Sequence, residues 1–120
     1  MDEHATVEQL KAKVKKFCEA RDWDQFHGPK DLAIGIITES SELLEHFRFK
    51  TDEQSKSALQ KKTEKKEIEE ELADILFFVL RFAQRFEIDL TSILDLKIKK
   101  NEKYYPISKS KGSNKKYDEL

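Results

Sequence analysis

Apolar residues return every three or four positions along four stretches of this chain, separated by polar segments. Val7, Leu10, Val14 and Phe17 mark the first, and Thr6 and Gln9 are spaced to form a capping box, which predicts a helix over about 7–22. Trp23-Asp24-Gln25-Phe26-His27-Gly28-Pro29 then breaks the period. Pro29 suits the first turn of a following helix, because a proline there forfeits no intrahelical bond. That second helix is predicted over about 30–49, with Leu32, Ala33, Ile36, Ile37, Leu43, Leu44 and Phe47 on one side. Residues 50–63 are polar, without a convincing period, and read as a mobile loop. A third helix follows over about 64–86. Its second half, ILFFVLRFA, is apolar on nearly every side, which places it at the centre of the fold or between subunits. Asp89 or Thr91 can cap a fourth helix over about 90–105, which carries Leu90, Ile93, Leu94 and Ile98 and is stopped by Pro106. The expectation is an all-α four-helix bundle over 1–106, followed by a basic tail over 107–120.

Composition narrows this further. The chain has 120 residues, enough for one domain with a core, yet small enough that oligomerisation would help it bury its apolar third helix. Three Gly and two Pro argue against a turn-rich β fold. A formal net charge of -1 gives no global field for nucleic acid or membrane, and the lysines of the tail read as solvated. No apolar run approaches the roughly 20 residues of a membrane span. The charged N-terminus lacks a signal core, and a single cysteine, Cys18, suits a reducing compartment, so a cytoplasmic location is expected.

Candidate chemistry lies in the acids. Carboxylates three residues apart are common here, so spacing alone says little. Position on the helix says more. Glu39 and Glu42 fall along one edge of the second helix's apolar stripe, and Glu71 and Asp74 along the corresponding edge of the third helix's stripe. If the stripes pack together, four negative charges meet in a partly buried place, at a cost in repulsion and lost solvation that a divalent cation relieves. An all-oxygen set suits a hard ion, and an open shell completed by water and phosphate suits Mg2+. A di-iron site would need a Glu-x-x-His on each of two helices, which His46 does not provide. The competing reading is a solvated acidic edge on a non-catalytic helical interaction or nucleotide-binding module.

Several segments together carry a resemblance. They are Arg21-Asp22-Trp23-Asp24-Gln25-Phe26-His27, Glu39-x-x-Glu42-Leu43-x-Glu45, Glu70-Glu71-Leu72-x-Asp74, Asp89-Leu90, Lys97-x-x-x-Asn101-x-x-x-Tyr105-Pro106, and Gly112-Ser113 with Lys116-Tyr117. In these the chain resembles the MazG-like all-α nucleoside triphosphate pyrophosphohydrolases, within them the dCTP pyrophosphatase branch. The resemblance implies hydrolysis of a (d)NTP to monophosphate and pyrophosphate by an intertwined homotetramer. It implies Glu39, Glu42, Glu71 and Asp74 as magnesium ligands, and Lys97, Asn101 and Tyr105 as residues that hold the triphosphate. Steps of four put those three on one helix face, in independent agreement. Trp23 and His27 match the segment that contacts the nucleoside. Phe49 stands where relatives have a second base-stacking Trp, Val14 where they have a base-contacting His, and Phe78 where they have a Tyr. Phe49 can still stack, whereas Val14 cannot hydrogen-bond a base edge, which changes the expected base discrimination.

Overall fold

The computed structural model describes all 120 residues, Met1–Leu120. Its elements are α1 (Val7–Glu19), α2 (Pro29–Glu45), α3 (Asp52–Ala58), α4 (Lys62–Arg85), α5 (Leu90–Tyr104) and α6 (Ile107–Ser110), with 3-10 turns at Asp24–Phe26 and Tyr117–Glu119. There is no strand, and the all-α expectation holds. No helix is long and apolar enough to cross a membrane. The chain divides into two compact units, Met1–Glu87 and Ile88–Leu120.

In the first unit α4 is the spine, packing along α2 and against α1. Gly35 of α2 faces Phe78 of α4, while Glu39 and Glu42, further along α2, meet Glu71, further back on α4, so the two helices run antiparallel. Val14, Cys18, Leu32, Ile68, Leu80 and Ala83 are buried around α4. Gly35 is required where it stands, because a Cβ there would lie 2.6 Å from the Phe78 ring. The second unit is built on α5, whose turns back to Tyr117 bring that ring 4.6 Å from Tyr104.

The helix starts follow the chemistry of their first residues. Thr6 and Gln9 exchange side chain-to-backbone bonds of 3.1 and 3.0 Å, Pro29 occupies the first turn of α2, and the Asp89 carboxylate accepts from the Ser92 N–H at 2.9 Å. Three boundaries differ from the sequence expectation. α1 stops at Glu19 rather than near Asp22, because Asp22 takes a left-handed φ of 55° and the Trp23 N–H returns to the Cys18 carbonyl at 3.0 Å. α2 stops at Glu45 rather than Phe49, whose own φ is 63°. The expected loop over 50–63 contains α3, opened by a second capping box in which Thr51 and Gln54 exchange bonds of 3.1 and 2.9 Å. Ala58, at the end of α3, is buried, which ties this helix to the core.

Candidate active site

Two helices supply the acidic centre. Along α2 the less exposed positions are Leu32, Gly35, Ile36, Glu39, Leu43 and His46, and along α4 they include Glu64, Ile68, Glu71, Ile75 and Phe78. Glu39 and Glu71 therefore sit within the inward-facing stripes rather than at their edges, while Glu42 and Asp74 lie on the exposed flank. Glu39, Glu42 and Glu71 bring one oxygen each within 4.8 Å of one another. Asp74 is outside that group, yet close enough for its charge to act on both Glu39 and Glu71.

Electrostatics record the cost of this assembly. Burial, then hydrogen bonding to the Glu42 carboxyl when one of the pair is protonated, then the charges of Glu42, Asp74 and Glu71 push Glu39 up to about 7. Burial and Glu42 raise Glu71 in the same way, partly offset by His46. Glu39 Oε2 and Glu71 Oε2 are buried without any hydrogen-bond donor. Orphaned carboxylate oxygens of this kind are rare unless something binds there. A hard divalent cation fits them, because it supplies the missing positive charge and accepts an all-oxygen ligand set.

Beside the acids lies an aromatic and basic region of the same unit. Phe78 and Phe77 meet edge to face, Phe77 meets Phe17, and Phe17 meets Trp23 at 5.6 Å, which in turn lies 5.9 Å from the His27 ring. Trp23 is thus half-buried against α1 and fixes the loop that carries His27. Arg81 of α4, completely buried, donates from Nε to His27 Nδ1 at 2.8 Å, from Nη1 to Gln84 Oε1 at 2.6 Å and from Nη2 to Asp24. This pairing, chiefly the hydrogen bond, holds the Asp24 carboxyl below its usual range. Burial first, then the Arg81 and Arg85 charges, lowers His27, which keeps its imidazole neutral. Phe49 is 92% exposed, with the Arg48 guanidinium 4.7 Å from its ring centre. Val14 is buried in the core.

Within the second unit, Lys97, Asn101 and Tyr105 line one pocket together with Lys100, Tyr104 and Tyr117. The lining offers ammonium, amide and phenol groups and no carboxylate, a set suited to an anion.

Sequence reasoning missed Arg81, although it is the one charge inside ILFFVLRFA. A buried charge in an apolar run signals a partner elsewhere. His46, considered only as a di-iron ligand, places Nε2 3.8 Å from Glu71 Oε1. Glu45, the last acid of the Glu39-x-x-Glu42-Leu43-x-Glu45 segment, is exposed and paired with Arg48 at 3.2 Å.

Comparison with known proteins agrees with this architecture. Residues 34–120 match the model of the MazG-like family. The chain is 35% identical over 115 residues to dCTP pyrophosphatase 1 of Bos taurus and 33% identical to that of Homo sapiens, in each case across 96% of this chain and 68% of the relative. A pyrophosphatase from Archaeoglobus fulgidus has a similar crystal structure, with a TM-score of 0.79 and 35% identity, over 86% of this chain and 94% of that one. With its carboxylates gathered between two antiparallel helices and this breadth of similarity, the chain belongs to the MazG-like family.

Proposed function

We propose that this chain, a nucleotide pyrophosphohydrolase of the MazG-like family, holds Mg2+ on Glu39, Glu42, Glu71 and Asp74 and hydrolyses a deoxynucleoside triphosphate to monophosphate and pyrophosphate. Its substrate is dCTP or a related or modified dNTP, in keeping with the names of its relatives. The observation that carries the reading is the pair of buried, donorless oxygens Glu39 Oε2 and Glu71 Oε2 within a three-carboxylate cluster. An interaction module has no use for so costly an arrangement.

When bound, magnesium supplies charge neutralisation at the phosphates and lowers the pKa of a coordinated water. The chain does the rest. Lys97, Asn101 and Tyr105, which line one pocket without a carboxylate, are the proposed phosphate-binding groups, and water attacks the α-phosphorus opposite the leaving pyrophosphate. One carboxylate of the cluster accepts the water's proton; Glu45, tied to Arg48 in solvent, is the weakest candidate. Trp23, His27, Phe49 and Phe78 serve the nucleoside end. The 92% exposure of Phe49 supports its share, because the ring packs in no core of this chain.

Assembly into a homotetramer and a cytoplasmic location complete the proposal. Leu72 and Leu76 on α4 are 58% and 49% exposed beside Ala73, Ile75 and Val79, an apolar surface of the kind that a second copy covers. The test is product analysis with a panel of canonical and modified NTPs and dNTPs, with magnesium or with chelator. Monophosphate and pyrophosphate, formed only with magnesium, are expected. Binding without turnover, by folded protein, would replace this reading with that of a nucleotide-binding module.

A further inference from the structure

Glu71, Asp74, Phe78, Arg81 and Arg85 follow one another at steps of three and four, so they share a face of α4. At 1.5 Å per residue, Arg81 lies about 10 Å along the helix beyond Asp74. The acidic centre occupies one end of this stripe, and the Arg81–His27 contact lies two turns away, a separation comparable with the length of a nucleoside. Arg81 spends one N–H from each of its three nitrogens on His27, Gln84 and Asp24 and is completely buried, so it is placed to hold these side chains rather than to meet a phosphate. What it does is fix the imidazole. An arginine N–H can only donate, so the His27 nitrogen that receives it, Nδ1, carries no proton. In the neutral ring the proton then resides on Nε2.

We propose that Arg81 is a positioning residue for substrate recognition: it locks His27 as the Nε2–H tautomer, so that His27 offers the nucleobase a hydrogen-bond donor aimed at a carbonyl oxygen. The inference rests on the reading that His27 meets the nucleoside. It adds a residue to that reading and states which partner atom the base must present. A ring free to exchange tautomers would accept as readily as donate and would distinguish a carbonyl from an amine poorly. Burial of His27 and the neighbouring Arg81 and Arg85 charges oppose the imidazolium and so agree with a neutral ring.

Nitrogen-15 NMR of the imidazoles tests the lock directly in the unaltered protein, which has three histidines to resolve. A His27 signal with Nε2 protonated and Nδ1 bare is expected, and a Nδ1-protonated ring overturns the inference without any variant. Steady-state hydrolysis of dCTP tests the consequence. Arg81→Met should raise KM by roughly tenfold with kcat little changed, the size expected for one lost hydrogen bond. In a His27→Ala background the same substitution should add nothing further. Should the Met variant fold poorly, Arg81→Lys keeps a buried positive charge near Asp24 while removing the Nε donor, and it should show the same KM effect. Full additivity with His27→Ala, or a fall in kcat at constant KM, contradicts a positioning role. Wild-type protein that shows the tautomer but releases no pyrophosphate would instead count against the enzymatic reading.

Discussion

Glu39 carries a consequence that needs no substrate to observe. Its carboxyl rises from 4.5 to about 7 in the folded chain, so between those values the folded state binds more protons than the unfolded state. Glu39's own contribution to the stability of the metal-free protein is then fully present below 4.5 and is lost as the pH rises through about 7. Glu71, shifted the same way, adds to the slope. Urea unfolding of chelator-treated protein across this range should show a falling midpoint, and magnesium should restore most at the alkaline end, where its binding displaces no proton. A midpoint indifferent to both pH and magnesium would argue that these acids form an ordinary surface. Gly35 makes a second prediction at the same scale. Adding a methyl 2.6 Å from the Phe78 ring should displace that ring from α2. Gly35→Ala is expected to cost about 1–3 kcal/mol in denaturant unfolding despite its better helix propensity. Neutral or increased stability would mean that α2 and α4 do not approach so closely.

Secondary-structure elements show why some of the fold was legible in the sequence and some was not. Thr6-Val7-Glu8-Gln9 and Thr51-Asp52-Glu53-Gln54 are the same capping motif, and both form the reciprocal bonds. The first is legible because an apolar period follows it; the second opens a seven-residue helix too short to display one. α3 is consequently the element most dependent on its cap. Thr51→Ala should cost about 1 kcal/mol and increase amide exchange within Asp52–Ala58 more than in α4. Equal protection before and after the change would show that Ala58 packing alone holds the helix. The ends of α1 and α2 escaped prediction for another reason. Both involve residues with a side chain, Asp22 and Phe49, in left-handed conformations that no Gly announced. Of the candidate site, the pairing of Glu39 with Glu42 is readable from helix geometry alone, whereas their approach to Glu71 on α4 depends on the two apolar stripes packing together. The Arg81–His27–Asp24 contacts span more than fifty residues of sequence, and their only trace was one arginine in an apolar run.

For the whole molecule, the apolar content exceeds what one chain buries. Ile34, Ile37 and Leu44 on α2, Leu72 and Leu76 on α4, and Ile93, Leu94, Leu96 and Ile98 on α5 all remain exposed. The apolar character of the third predicted helix suggests a subunit interface, and the proposed assembly would cover the exposed leucines of α4. Leu72→Glu together with Leu76→Glu should shift the light-scattering mass from tetramer towards smaller species while helical circular dichroism persists. A monomeric wild-type protein would remove the need for assembly. The central claim, that the carboxylates between α2 and α4 hold the metal required for hydrolysis, is most directly tested by pyrophosphate release from dCTP in magnesium, with wild type and Glu71→Ala side by side. Turnover by the wild type, and its loss by at least a hundredfold in a variant of unchanged fold, is the expected result. Near-normal release by Glu71→Ala would contradict it.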